Sequence, residues 1–143
     1  MNYKYNPNKT DYSKFRVRSI IKSFRDLEVY QKTIKLSEQI INLKFLSEQE
    51  ILEIKSIAEN IPKLIAEAYG DRFDSKELAH KKITNAITLT TNLITKIDLL
   101  REKFLEDLEK KEDLDKLLIN YLTQKRKILN LRRAWDKVFE NKK

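Results

Sequence analysis

Cysteine is absent from this chain of 143 residues, which excludes a disulfide framework, a zinc–thiolate site and an iron–sulfur cluster. There is one glycine and there are two prolines, far too few for a fold built from many tight turns. A β-sandwich, a barrel and a dinucleotide-binding α/β fold are excluded on that ground, and so is a glycine-rich phosphate loop. No stretch approaches the roughly 20 apolar residues that cross a bilayer. The opening MNYKYNPNKTDYSKFRVR lacks the apolar core of a signal peptide. The expectation is a soluble, cytoplasmic protein with no membrane partner and a single domain's length.

What the chain does contain is charge, 36% of its residues, with a net of +8. Its distribution is uneven. Residues 1–25 hold seven basic groups against Asp11, a net of +6, and residues 124–143 hold eight against Asp136 and Glu140, again +6. The span between them is left at −4.

From Leu27 onward, mostly apolar residues recur in steps of three and four, the spacing that lines one face of a helix packed on other helices. Four stripes emerge. The first runs Leu27, Tyr30, Ile34, Ser37, Ile41, and the second Ile51, Ile54, Ala58, Ile61, Ile65, Ala68. The third is unbroken through Ala79, Ile83, Ala86, Thr90, Leu93, Ile97, Leu100 and Phe104, and the fourth runs Leu117, Tyr121, Gln124, Ile128, Leu131, Trp135, Val138.

Each start carries an acceptor for the unsatisfied N–H groups of a first turn: Asp26, Ser47 with Glu50, Asp74 with Glu77, and Asp113. Gly70 stands where the second helix should end in a left-handed cap. Pro62 lies inside that helix and should kink it near Ala58. Helices of roughly 20 to 30 residues with short connections predict an all-α, antiparallel up-down-up-down four-helix bundle over 23–143. Residues 1–22 show no period and read as a flexible basic arm.

Apolar residues off the stripes, Leu36, Ile40, Leu43, Leu78, Leu89, Ile94 and Leu99, predict a wider internal core from some and, from the rest, apolar surface that favours burial against a second copy. The third helix also carries Thr84, Asn85, Thr88, Thr90, Thr91, Asn92 and Thr95. These are weak helix formers that tertiary or quaternary contacts must hold.

Catalytic groups are scarce. Glu77-Leu78-Ala79-His80 has the spacing of half a di-iron ligand set, but His80 is the only histidine, so no second half exists within one subunit. No catalytic, cofactor-binding or metal-binding residue is assigned. The acidic run Glu106, Asp107, Glu109, Glu112, Asp113, Asp115 falls at the turn before the fourth helix and reads as solvated.

The basic ends carry the functional expectation. Lys14, Arg16, Arg18 and Lys22 in the arm, and Arg25 just beyond it, are interleaved with Tyr12, Phe15 and Phe24, and Lys125, Arg126, Arg132, Arg133 and Lys137 ride on the fourth helix. Clustered cations are the electrostatic footprint of a nucleic-acid partner, and mixed aromatics suit unpaired bases. No motif that reads base edges is present, so phosphate contacts would govern binding.

Two blocks add a resemblance. Ser23-Phe24-Arg25-Asp26-Leu27-Glu28-Val29-Tyr30-Gln31-Lys32 resembles the opening of the four-helix-bundle proteins encoded in intervening sequences of bacterial 23S ribosomal RNA genes. Ile61-Pro62 with Ile65-Ala66-Glu67-Ala68-Tyr69-Gly70-Asp71-Arg72 resembles their second-helix signature. The resemblance implies a bundle that assembles as a ring, commonly a homopentamer, without catalysis and associated with RNA. A related bundle, the accessory variability protein of diversity-generating retroelements, implies a second role, that of an adaptor recruiting a reverse transcriptase. Lys63-Leu64 and Ala68 depart from the Ser-Asn and glycine usual at those places.

Overall fold

The structure, a computed structural model, describes residues 24–141, with side chains described through Val138. The chain forms α1 (Glu28–Ile41), α2 (Glu48–Asp71), α3 (Lys76–Arg101) and α4 (Leu108–Asn141), with short 3-10 turns at Phe24–Asp26 and Glu102–Phe104. Among the described residues there is no strand. The expected all-α four-helix bundle is the observed architecture.

Each helix packs on its chain neighbours, and α4 closes the bundle against α1. Contacts at both ends fix the direction of two neighbouring pairs. Arg101 at the end of α3 reaches Asp115 near the start of α4, while His80 near the start of α3 meets Asp136 near the end of α4. Lys82 pairs with Asp71 at 2.7 Å, and Lys103 with Glu50, so α3 also runs antiparallel to α2.

The second and third stripes are the core. Ile54, Ala58, Ile61, Ile65 and Ala68 of α2 face Ala79, Ile83, Ala86, Leu93 and Ile97 of α3, all essentially without solvent exposure. The first stripe is corrected. Val29, Thr33, Leu36 and Ile40 are buried with Ser37, whereas Ile41 is 51% exposed. Two adjacent faces of α1 satisfy the same spacing, and packing between α2 and α4 selects the one that points at both. On α4 the buried set is Leu114, Leu117, Tyr121, Gln124 and Ile128, after which Leu131 and Trp135 are half-buried and Val138 is exposed.

Helix lengths also depart from the expectation. α1 has 14 residues and α4 has 34, about 21 Å against about 51 Å at 1.5 Å per residue. Glu28, the first residue of α1, lies level with Lys127 of α4 at 3.2 Å. Among the described residues, the bundle beyond that level is built from α2, α3, the last turns of α4 and the Phe24–Asp26 turn.

Several caps shift. The capping box of Ser47 and Glu50 is present as expected. Leu27 rather than Asp26 precedes α1 and makes no side-chain cap. Ser75 rather than Asp74 caps α3, its Oγ accepting from the Leu78 N–H at 3.2 Å. α4 starts before Asp113, with Asp107 Oδ1 accepting from the Lys110 N–H. At α3 and α4 the chain offers several acceptors, and the one aligned with the first free N–H groups is used. Gly70 is not a cap: α2 continues through it to Asp71. Pro62 sits buried inside the same helix.

Polar groups enter the core mainly by bonding their own helix. The Thr33 hydroxyl donates to the Val29 carbonyl at 2.7 Å, Ser37 to Ile34 at 2.7 Å and Thr90 to Ala86 at 2.8 Å, the local pattern that satisfies a hydroxyl without a partner helix. Tyr121 Oη and Gln124 Oε1 are buried without a hydrogen-bond partner. Burial pushes the Tyr121 phenol well above its ordinary pKa, because no partner compensates the desolvated phenolate.

Candidate nucleic-acid interface

The long α4 sets out its cations by helical geometry. Arg126, Asn130, Arg133 and Lys137 follow in steps of four, three and four, which places them on one outer face, about 16 Å long. All four are exposed. Lys125 and Arg132 flank that face and are half-buried. Arg133 Nη1 donates to Asn130 Oδ1 at 3.0 Å, and Arg132 Nη1 donates to Thr84 Oγ1 on α3 at 3.0 Å. Both guanidinium groups are oriented by neutral acceptors.

Among the described residues, Lys125, Arg126, Arg132, Arg133 and Lys137 form no carboxylate ion pair. Some cations elsewhere do, whereas others among the described residues, such as Lys32, Lys63 and Lys81, do not. Lys82 lies between Asp71 and Glu67, and its ammonium pKa is raised first by the Asp71 hydrogen bond. Arg101 bridges Asp98 and Asp115, each at 3.1 Å. The Asp115 carboxyl is held below its usual range by the Lys111 and Arg101 hydrogen bonds, and the Glu50 carboxyl by that of Lys103. Asp71, Asp98 and Asp115 thus each hold a cation, and on the far half of α4 Lys127 pairs with Glu28 while the five cations above are left without a carboxylate among the described residues.

The acidic residue within the cationic stretch, Asp136, meets His80 Nδ1 at 3.0 Å. His80 is exposed, and this contact ties α3 to α4. Leu129, Arg132, Arg133, Asp136 and Lys137 line an open groove beside this contact. The carboxylates of the acidic run line no shared metal site: among the described residues no group of three or more His, Cys, Asp or Glu side chains could hold an ion.

Of the arm residues, Lys14, Arg16, Arg18 and Lys22 lie outside the described residues. Arg25 is exposed in the turn before α1, and its guanidinium stands 4.7 Å from the Phe24 ring centroid. That turn packs against α2. The pairing of Glu28 with Lys127 thus puts the start of the described chain beside the cationic half of α4.

Sequence reasoning missed one cluster at this end. The Arg72 guanidinium lies 3.4 Å from the Tyr69 ring centroid and 4.3 Å from that of Phe73, and Arg72 Nη1 donates to the Tyr69 carbonyl. Tyr69 in turn stands 6.3 Å from Trp135 of α4. The signal available was Tyr69, Arg72 and Phe73 in steps of three and one at a helix end.

The chain matches no protein-family model, no curated protein and no solved structure. Among the described residues, no helix is long and apolar enough to cross a membrane.

Proposed function

We propose that this chain is a non-enzymatic, homo-oligomeric helical bundle that binds RNA or another nucleic acid through phosphate contacts on the outer face of α4. One observation carries the reading: among the described residues, Arg126, Arg133 and Lys137 share an exposed face and form no carboxylate ion pair, while Lys82, Arg101 and Lys111 are paired. A rigid row of unneutralised cations binds polyanions by releasing their counterions. The resemblance to the intervening-sequence proteins supports the same partner, and the Lys14, Arg16, Arg18 and Lys22 arm would add to the cationic end.

The test is fluorescence anisotropy of a labelled RNA titrated at several salt concentrations. Affinity should fall steeply with salt. Absence of binding at low ionic strength refutes the proposal.

A second reading has its own support. Leu99, Leu108, Ile119 and Leu122 are exposed, and the outer face of α3 carries Asn85, Thr88, Asn92 and Thr95 without a charge. Such a surface fits self-association, and equally an adaptor that recruits a protein such as a reverse transcriptase. Light scattering with and without RNA reads the subunit count, and a partner still recovered after nuclease treatment favours the adaptor.

A further inference from the structure

We infer that two neighbouring rows on the outer surface, the cations of α4 and the uncharged Asn and Thr side chains of α3 beside them, form one site for double-helical RNA. The first row takes phosphates and the second takes ribose 2′-hydroxyls. This rests on the polyanion reading above and narrows it to an A-form RNA duplex.

The register of the two helices sets the rows side by side. Arg101 meets Asp115 at 3.1 Å, Thr84 meets Arg132 at 3.0 Å and His80 meets Asp136 at 3.0 Å, so each step back along α3 is matched by an equal step forward along α4. On that register Lys81, Asn85, Thr88 and Asn92 cover the same stretch as Lys137, Arg133, Asn130 and Arg126. Both sets advance in steps of four, three and four, so each lies on one helix face about 16 Å long. All of these side chains are exposed. Axes of packed helices lie about 8–10 Å apart, which keeps both rows within reach of one ligand. The open groove beside Arg132 and Asp136, the two residues that reach α3, lies between the rows.

Both rows keep their polar groups open. Among the described residues, Lys81, Arg126, Arg133 and Lys137 pair with no carboxylate, and Asn85, Thr88 and Asn92 make no side-chain hydrogen bond. Thr90, Thr91 and Thr95 of the same helix instead donate to a carbonyl one turn back. Asn and Thr are weak helix formers, and at Asn85, Thr88 and Asn92 no local bond offsets that cost. Their amide and hydroxyl groups suit a ligand group that both donates and accepts, as the ribose 2′-hydroxyl does. The wide, shallow minor groove of A-form RNA displays those hydroxyls beside the phosphate backbone, so cations can hold the backbone while the second row reaches the sugars. DNA lacks the hydroxyl, and its minor groove, about 6 Å wide, is too narrow for residues borne on two packed helices. Single strands are held largely by ring stacking, and neither row carries a ring. The carboxylates bordering the surface are Asp136, engaged by His80, and Glu77, one turn before Lys81. A protein seated on the α3 row would leave the adjoining unpaired cations without a role, whereas an RNA duplex engages both rows.

The probes are a labelled RNA duplex, the DNA duplex of the same sequence, the RNA duplex carrying 2′-O-methyl groups, and heparin, each titrated against the full chain by anisotropy. The parent should bind the RNA duplex about tenfold more tightly than either of the other duplexes. Asn85→Ala, Thr88→Ala and Asn92→Ala combined should weaken RNA-duplex binding about tenfold and bring the three duplexes level. Heparin binding and the salt slope should stay unchanged, because no phosphate contact is lost. Alanine is a better helix former than the residues it replaces, so circular dichroism should show the helices of the variant intact. If the triple variant binds the RNA duplex like the parent while Arg126→Glu, Arg133→Glu and Lys137→Glu together abolish binding, the α3 row is no part of the site and the polyanion reading stands. Equal affinity of the parent for RNA and DNA duplexes would likewise refute 2′-hydroxyl contacts. A lower subunit count for the triple variant in light scattering would assign the row to a second copy and overturn the inference. If the parent binds none of the four probes at low salt, both readings fall.

Discussion

Glu28 and Lys127 form an ion pair at 3.2 Å although 99 residues separate them. This contact sets the start of α1 against the second half of α4. The start of the described chain is thereby brought beside the cationic stretch of α4. A folded scaffold that collects like charge is under electrostatic self-repulsion. The cations on α4 tolerate it by pointing outward into water from a helix held by other contacts.

Charge reversal tests that face directly. Arg126→Glu, Arg133→Glu and Lys137→Glu combined should weaken RNA binding by at least 100-fold at low salt, on the order expected for three lost phosphate contacts. Helicity should be unchanged, since all three side chains are exposed. Binding equal to that of the parent would move the site off α4.

The core stripe of α3 has a clear stability signature. Leu93 has no solvent exposure, so Leu93→Ala should cost about 2–5 kcal/mol through cavity formation, read by urea unfolding. A nearly neutral result would contradict the packing described for α3.

Gly70 gives the opposite sign. It lies inside α2, and a Cβ added there would meet no atom within 4 Å. Gly70→Ala should therefore stabilise the protein by up to about 1 kcal/mol through helix propensity. A lower Tm would show that the glycine serves a contact outside a single chain.

Tyr121 carries a buried hydroxyl with no partner. Tyr121→Phe removes a desolvated polar group while keeping the ring, and should raise stability by about 1 kcal/mol. Loss of stability instead would mean that the hydroxyl is bridged by water in solution.

Acid sensitivity follows from the carboxylates at the turn. Asp115 and Glu50 have folded pKa values lowered by Lys111, Arg101 and Lys103. Their contribution is fully present above the ordinary carboxylate pKa and is lost as pH falls from about 4 through the lowered values. Asp115→Asn should flatten the fall of Tm below about pH 4, measured by thermal melts across pH. An unchanged slope would place the acid-sensitive groups elsewhere.

The stripes from Ile51 to Ala68 and from Ala79 to Phe104 were legible because each keeps the three-and-four step without a break, with Thr90 the one polar member. The α1 stripe was not, because residues 27, 30, 34, 37 and 41 and residues 29, 33, 36 and 40 obey the same spacing rule, and only packing between α2 and α4 distinguishes them. The cations Arg126, Arg133 and Lys137 could be placed on one face from their numbers alone. The Tyr69, Arg72, Phe73 and Trp135 group could not, since it joins the end of α2 to a residue more than sixty positions away.

Composition and periodicity by themselves determined an all-helical chain, its helix count and its separated positive charge, because those depend on near neighbours in the chain and on sums. Which face of α1 is buried, that Gly70 lies within a helix, which lysines and arginines are neutralised and which aromatic rings meet at the end of α4 were decided by tertiary structure. These depend on distances between residues far apart in sequence, and a spacing rule along one helix carries no information about the helix it packs against.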